Sequence, residues 1–179
     1  MRLSACFAIA SFVTSSACGG SGGGGPTETL TQPTIPAARS GHAMTYDDAR
    51  RVVLMFGGTG ASTLGDLWSW NGTSWTRLST SGPPPRDDAV LAFDGRRQRL
   101  VLFGGRSGQT LLADTWEWDG TAWSKLAIDS APSPRFWHST AFDSARGVTV
   151  LFGGYDGSDA GETWEWDGVG WVLRSKHFP

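Results

Sequence analysis

The sequence predicts an all-β fold: an arc of three four-stranded antiparallel blades, the repeating unit of a propeller. Three observations lead there. The phrase DTWEWDGTAW at residues 114–123 returns as ETWEWDGVGW at 162–171 and, more loosely, as DLWSWNGTSW at 66–75. An apolar run ending in Phe-Gly-Gly precedes each copy: VVLMFGG (52–58), LVLFGG (100–105) and VTVLFGG (148–154). Arg39, Arg86 and Arg135 each stand seventeen residues ahead of Phe56, Phe103 and Phe152. The leading tryptophans Trp68, Trp116 and Trp164 recur every 48 residues, a period that marks a repeat architecture.

Each repeat divides into four strands, A to D. Strand A follows the arginine, as HAMTYD (42–47), AVLAFD (89–94) and HSTAFD (138–143). Strand B is the apolar run, continuous enough to be buried on both faces. Strand C alternates: Trp68 and Trp70 share one face and Ser69 takes the other, with Glu117 and Glu165 in the serine's place in later copies. Strand D opens at Trp75, Trp123 or Trp171. Between C and D stand Asn71-Gly72, Asp119-Gly120 and Asp167-Gly168, dipeptides suited to tight hairpins. Four-stranded meanders at this period stack radially around an axis.

The organisation is a signal peptide at 1–17, a Gly/Ser/Thr/Pro-rich tether at 18–36, and repeats at about 37–82, 83–131 and 132–179. The apolar stretch at 3–13 is too short to span a membrane as a helix and has the form of a secretory signal. Cys18 follows small residues and precedes a glycine run, and this arrangement resembles the lipobox of bacterial lipoproteins. The resemblance implies lipidation at Cys18, although Ser15 replaces the usual leucine. An ordinary signal cleaved after Ala17 cuts the same bond. The expected location is the bacterial outer membrane or a periplasm-facing lipoprotein, the alternative a secreted soluble protein.

Both cysteines, Cys6 and Cys18, belong to this leader, so the repeats hold no disulfide, thiolate nucleophile or zinc-cysteine site. The formal charge of −2 becomes −3 without Arg2, which gives no support to a nucleic-acid partner.

An apolar strand ending in Gly-Gly, a downstream aromatic pair and a tryptophan opening the last strand resemble the kelch repeat; the bacterial form D-x-W-x-W-[DN]-G-x-x-W is a close likeness. The resemblance covers residues 38 to about 174 and implies a kelch-type β-propeller whose variable end binds partners. Closed propellers have about four to eight blades. Three complete blades therefore make either half of a six-bladed ring, closed by a homodimer, or a truncated propeller. In a chain without a neighbour Val53 and Met55 at one end and Val148 and Val150 at the other are expected to meet water, and ring closure by a second chain would cover them.

The B–C and D–A loops share one end, where TGASTLG (59–65), RSGQTLLA (106–113) and YDGSDAG (155–161) differ among repeats. The candidate ligand-binding residues there are Arg39, Arg86, Arg135, Trp137 and Tyr155. The three arginines could form a basic rim for carboxylates or phosphates. Their recurrence favours a structural role instead, each paired with one of Asp66, Asp114 and Glu162, the acid of its own or of an adjacent blade. Nine of the ten tryptophans occupy three recurring places and are expected to pack between blades. Trp137, in RFWH, is off that pattern; blade packing is the weightier expectation and stacking on a sugar or aromatic ligand the other.

His42 and His138 recur at one position but lie a blade apart, and His177 is in the tail, so no metal site is expected and no cofactor. The resemblance extends to galactose oxidase, whose tyrosine-cysteine cofactor cannot form in repeats without cysteine. The functional expectation is a non-enzymatic, exported binding module for a protein or glycan; the alternative is a carbohydrate-active enzyme or its remnant.

Overall fold

The computed structural model describes residues 35–176. The signal peptide, Cys18, most of the tether and His177 lie outside the described residues.

The first blade contains β1 (Ala43–Asp47), β2 (Val52–Phe56), β3 (Leu67–Trp70) and β4 (Trp75–Ser79), hydrogen-bonded in that order. The second contains β5 (Val90–Asp94), β6 (Arg99–Phe103), β9 (Thr115–Trp118) and β10 (Trp123–Lys125). Its B–C loop holds a two-residue ribbon, β7 (Arg106–Ser107) with β8 (Thr110–Leu111), absent from the sequence reading. The third contains β11 (Ser139–Asp143), β12 (Val148–Phe152), β13 (Glu162–Trp166) and β14 (Trp171–Lys176). All three are antiparallel meanders, as the spacing predicts, and the innermost strands β1, β5 and β11 run side by side.

Alternation along strand B decides what each blade offers its neighbours. Leu54 and Phe56 face the second blade, where they join Leu91, Phe93, Leu100, Leu102 and Trp118 in one buried cluster. Val101 and Phe103 point the other way and join Leu151, Trp164, Trp166 and Trp171 of the third blade. Strand B of the middle blade thus contributes to two cores, which explains its continuous apolarity. Each such side chain contributes about 1.5–3 kcal/mol relative to exposure.

Backbone hydrogen bonds tie the blades at the end of strand B. The Gly58 and Gly105 amides donate to the carbonyls of Arg86 and Arg135, each at 2.9 Å, while the Arg86 and Arg135 amides donate to Leu64 and Leu112, each at 3.1 Å. The close approach requires glycine. A Cβ at Gly57, where φ is 68°, would lie 2.5 Å from the Arg86 carbonyl oxygen.

The two outer faces correct one expectation. Val53, Val148 and Val150 are half-buried, but Met55 is buried. The register sets Met55 opposite Trp68 and Val53 opposite Trp70 on the same face, so the blade's own indoles cover the methionine. Large apolar residues exposed on these faces include Met44 and Tyr46 on the first blade and Phe152 and Val172 on the third.

Phe103→Ala should lower unfolding stability by about 3–5 kcal/mol because it empties a core shared by two blades. Val169→Ala, at an exposed hairpin tip, should change it by about 0.5 kcal/mol or less. Urea denaturation of the two variants checks the contrast.

Candidate binding face

The recurring arginines sit where the D–A connection enters each blade, and each points inward. Arg39 donates through Nη1 to the Gly57 carbonyl at 3.0 Å and forms a two-pronged pair with Asp66, at 2.6 and 3.1 Å. Arg86 repeats this with Gly104 at 3.0 Å and Asp114 at 2.6 and 2.9 Å. Arg135 reaches the Gly153 carbonyl at 2.9 Å and Glu162 at 2.7 Å. Each acid also accepts from the indole two residues on: Trp68 Nε1 donates to Asp66 at 2.6 Å, Trp116 to Asp114 at 2.6 Å and Trp164 to Glu162 at 2.9 Å. The acid and indole share a strand face because they stand at i and i+2.

The guanidinium side chains are 3%, 0% and 0% exposed for Arg39, Arg86 and Arg135. They therefore do not line a basic rim; they fasten strand B to strand C inside each blade. Burial opposes ionisation of the acids, but the indole and guanidinium donors outweigh it. Asp66 and Asp114 are held below the ordinary carboxylate range, and Glu162, which also meets Lys176, falls from 4.5 to about 2.

The mouth at the B–C end is built instead from positions that do not recur. Where the first blade has Ser40-Gly41, the second has Asp87-Asp88 and the third Phe136-Trp137. The second residue of each pair has a left-handed backbone, with φ of 61° at Gly41, 53° at Asp88 and 58° at Trp137. Trp137 is 68% exposed, so it does not pack between blades. Phe136 beside it is buried, with ring centroids 4.6 Å from Trp137 and 5.7 Å from Tyr155.

Arg106 crosses from the second blade to lie 5.0 Å over the Phe136 ring, a cation–π contact. It pairs with Asp87 at 2.9 Å and Asp88 at 3.2 Å. Burial and the neighbouring Asp87 charge push Asp88 above the usual carboxylate range despite Arg106. The mouth thus joins an exposed aromatic plate to a partly buried acid pair and a cation. Phe136, Arg106, Asp87 and Asp88 escaped the sequence reading; their signal was the break in the repeat at 40–41, 87–88 and 136–137.

Tyr155 and Trp137 also wall an open cleft of about 390 Å³ on the outer face of the third blade. At the opposite end a concavity of about 580 Å³ lies among the innermost strands, rimmed by Asp48, Arg96 and Ser144. Among the described residues no group of three His, Cys, Asp or Glu side chains converges as metal ligands. His138 packs edge-on against Phe103, with centroids 5.6 Å apart. Burial, aided by the Arg135 charge, lowers its pKa from 6.5 to about 4.

The KLHDC2/KLHL20/DRC7 Kelch-repeats domain model matches residues 27–172. No curated protein matches the chain.

Removing one buried charge leaves its partner uncompensated, so Arg86→Ala should lower stability by about 3–5 kcal/mol. Arg106→Ala, at a partly exposed pair, should lower it by about 1 kcal/mol or less. Thermal melts of the two variants separate scaffold from mouth.

A second expectation concerns acid. Since the His138 pKa is depressed in the fold, the unfolded chain binds the extra proton first, and stability falls as pH drops from 6.5 toward 4. Ala89 fills the matching place in the second blade, so His138→Ala should fold and should show a smaller loss between those pH values. Urea midpoints at neutral and acid pH test it.

Proposed function

The chain belongs to the kelch-repeat family, whose domains are typically non-enzymatic protein-interaction modules, and from that premise we propose that its B–C end binds a protein, with Trp137 as the anchor. The observation that carries this reading is the exposure of Trp137 on a left-handed backbone. A non-glycine residue there costs about 1–2 kcal/mol. Gly41 and Asp88 hold the same position at lower steric cost, so the indole is kept at the surface against the preference of the backbone. Exposed tryptophans beside a charged rim are typical centres of protein interfaces, where a single truncation removes much of the binding. Arg106, Asp87 and Asp88 supply that rim.

The support for export and anchoring is the apolar stretch at 3–13 and Cys18 before its glycine run. A lipid on Cys18 and a flexible tether would hold the blades on the order of 25 Å from a membrane surface. Incorporation of labelled fatty acid into the chain, abolished by Cys18→Ala, supports the anchor; equal labelling of both proteins removes it.

The binding reading is tested by cross-linking the immobilised chain to proteins of its source cell and comparing wild type, Trp137→Ala and Val169→Ala. A partner kept by Val169→Ala and lost by Trp137→Ala supports the B–C end. The converse pattern places binding at the other end and overturns the proposal. A glycan array probed with the same three proteins tells a sugar ligand from a protein one. Relief of backbone strain carries a separate expectation: Trp137→Gly should raise unfolding stability by about 1 kcal/mol, measured by urea denaturation.

A further inference from the structure

Two junctions within the chain show what joins a blade to its neighbour, and the outer faces carry the two halves of a third. At each junction the tryptophan that opens strand D meets, edge to face, the phenylalanine that ends strand B of the preceding blade. Trp123 lies 5.5 Å from Phe56, and Trp171 lies 5.2 Å from Phe103. Two indoles add hydrogen bonds across the second junction, Trp171 to the Thr115 hydroxyl at 3.0 Å and Trp166 to Glu117 at 3.1 Å.

The third blade presents one half of this set: Phe152, and Thr163 at the place of Thr115, which accepts from Ser175 at 3.0 Å; Glu165, at the place of Glu117, is buried and paired with Arg146 and Arg174 of its own blade. The first blade presents the other: Trp75 at the place of Trp171 and Trp70 at the place of Trp166. Neither the Trp70 nor the Trp75 indole N–H has an acceptor among the described residues. Phe152 is 56% exposed, whereas Phe56 and Phe103 are 1% exposed. Tyr46 is 55% exposed, whereas its counterpart Phe93, covered by the first blade, is 6% exposed. The arginine of the A–B turn repeats the pattern. Arg50 lies against the Gly120 hairpin and Arg97 against the Gly168 hairpin, while a Cβ at Gly72 would meet nothing within 4 Å.

We infer that these faces bind each other between two copies of this chain, head to tail, the first blade of one on the third blade of the other. Trp75 stacks on Phe152 and donates to Thr163. The occupant is a second copy because one chain carries both halves of the aromatic joint, Phe152 with Thr163 and Trp75, and the joint continues the two it already contains. Two such contacts related by a two-fold axis close a ring of six blades, within the size range of propellers. A head-to-tail contact that failed to close would grow as a filament.

Light scattering coupled to size exclusion on the full chain reads this directly. Wild type should elute at twice the chain mass, and Phe152→Glu and Tyr46→Glu should each elute at the chain mass with an unchanged far-ultraviolet circular dichroism spectrum. Both positions are more than half exposed, so the substitutions spare the core; Phe152→Ser and Tyr46→Ser are gentler checks on folding. Mixing the two Glu variants should restore a species of twice the mass, because each retains the face that the other has lost. A folded wild-type monomer at about 100 μM, far above the micromolar range of specific association, overturns the inference. So does a dimer insensitive to both substitutions, or a mixture that stays monomeric. Polymers of rising mass, abolished by either substitution, overturn ring closure.

Discussion

The structure depends on one contact made between blades: a phenylalanine followed by two glycines at the end of strand B, received by a tryptophan and a backbone amide pair from the next blade. A single four-stranded sheet cannot bury both of its faces. Phe56 and Phe103 are nearly inaccessible, and Trp123 and Trp171 arrive from the following blade to cover them. The glycines let the next blade's arginine carbonyl approach within hydrogen-bonding distance, and that same arginine then turns its guanidinium into its own blade. Stacking between blades and bracing within them are therefore joined at one residue.

This economy separates scaffold from function. The Arg–acid–Trp brace recurs in every blade, is buried, and neutralises its own charge, so it has little left to offer a ligand. Trp137 does the reverse. It occurs once, sits on an unfavourable backbone and faces water, with Arg106, Asp87 and Asp88 around it. This departure from the repeat at a cost to the backbone is what the proposed binding role of Trp137 rests on.

Most of the fold was legible in the sequence because repetition states each rule three times. The alternation of Trp68 and Trp70, the hairpin dipeptides and the even spacing of Phe-Gly-Gly define strands and turns by local chemistry alone. The pairing of Arg39, Arg86 and Arg135 with Asp66, Asp114 and Glu162 was readable from their shared end of the blade. Exposure was harder, since it depends on the neighbouring sheet: Met55 is hidden by indoles that the register aligns with it, and Trp137 is exposed by a backbone turn that no periodicity reports. The bonds from Trp171 to Thr115 and from Trp166 to Glu117 join residues about fifty positions apart. The first junction has neither of them, because Leu67 stands where Thr115 would and Ser69 where Glu117 would, and the Trp123 indole nitrogen is accordingly buried without a partner.

Amide hydrogen exchange at the second glycine of each pair tests the central claim most directly. Gly58 and Gly105 donate across blades to Arg86 and Arg135, while Gly154 has no backbone acceptor among the described residues. The blade-to-blade account predicts slow exchange at Gly58 and Gly105 at every concentration, and slowing at Gly154 only as a second chain brings the Arg39 carbonyl to it. Equal, concentration-independent exchange at all three glycines would contradict it.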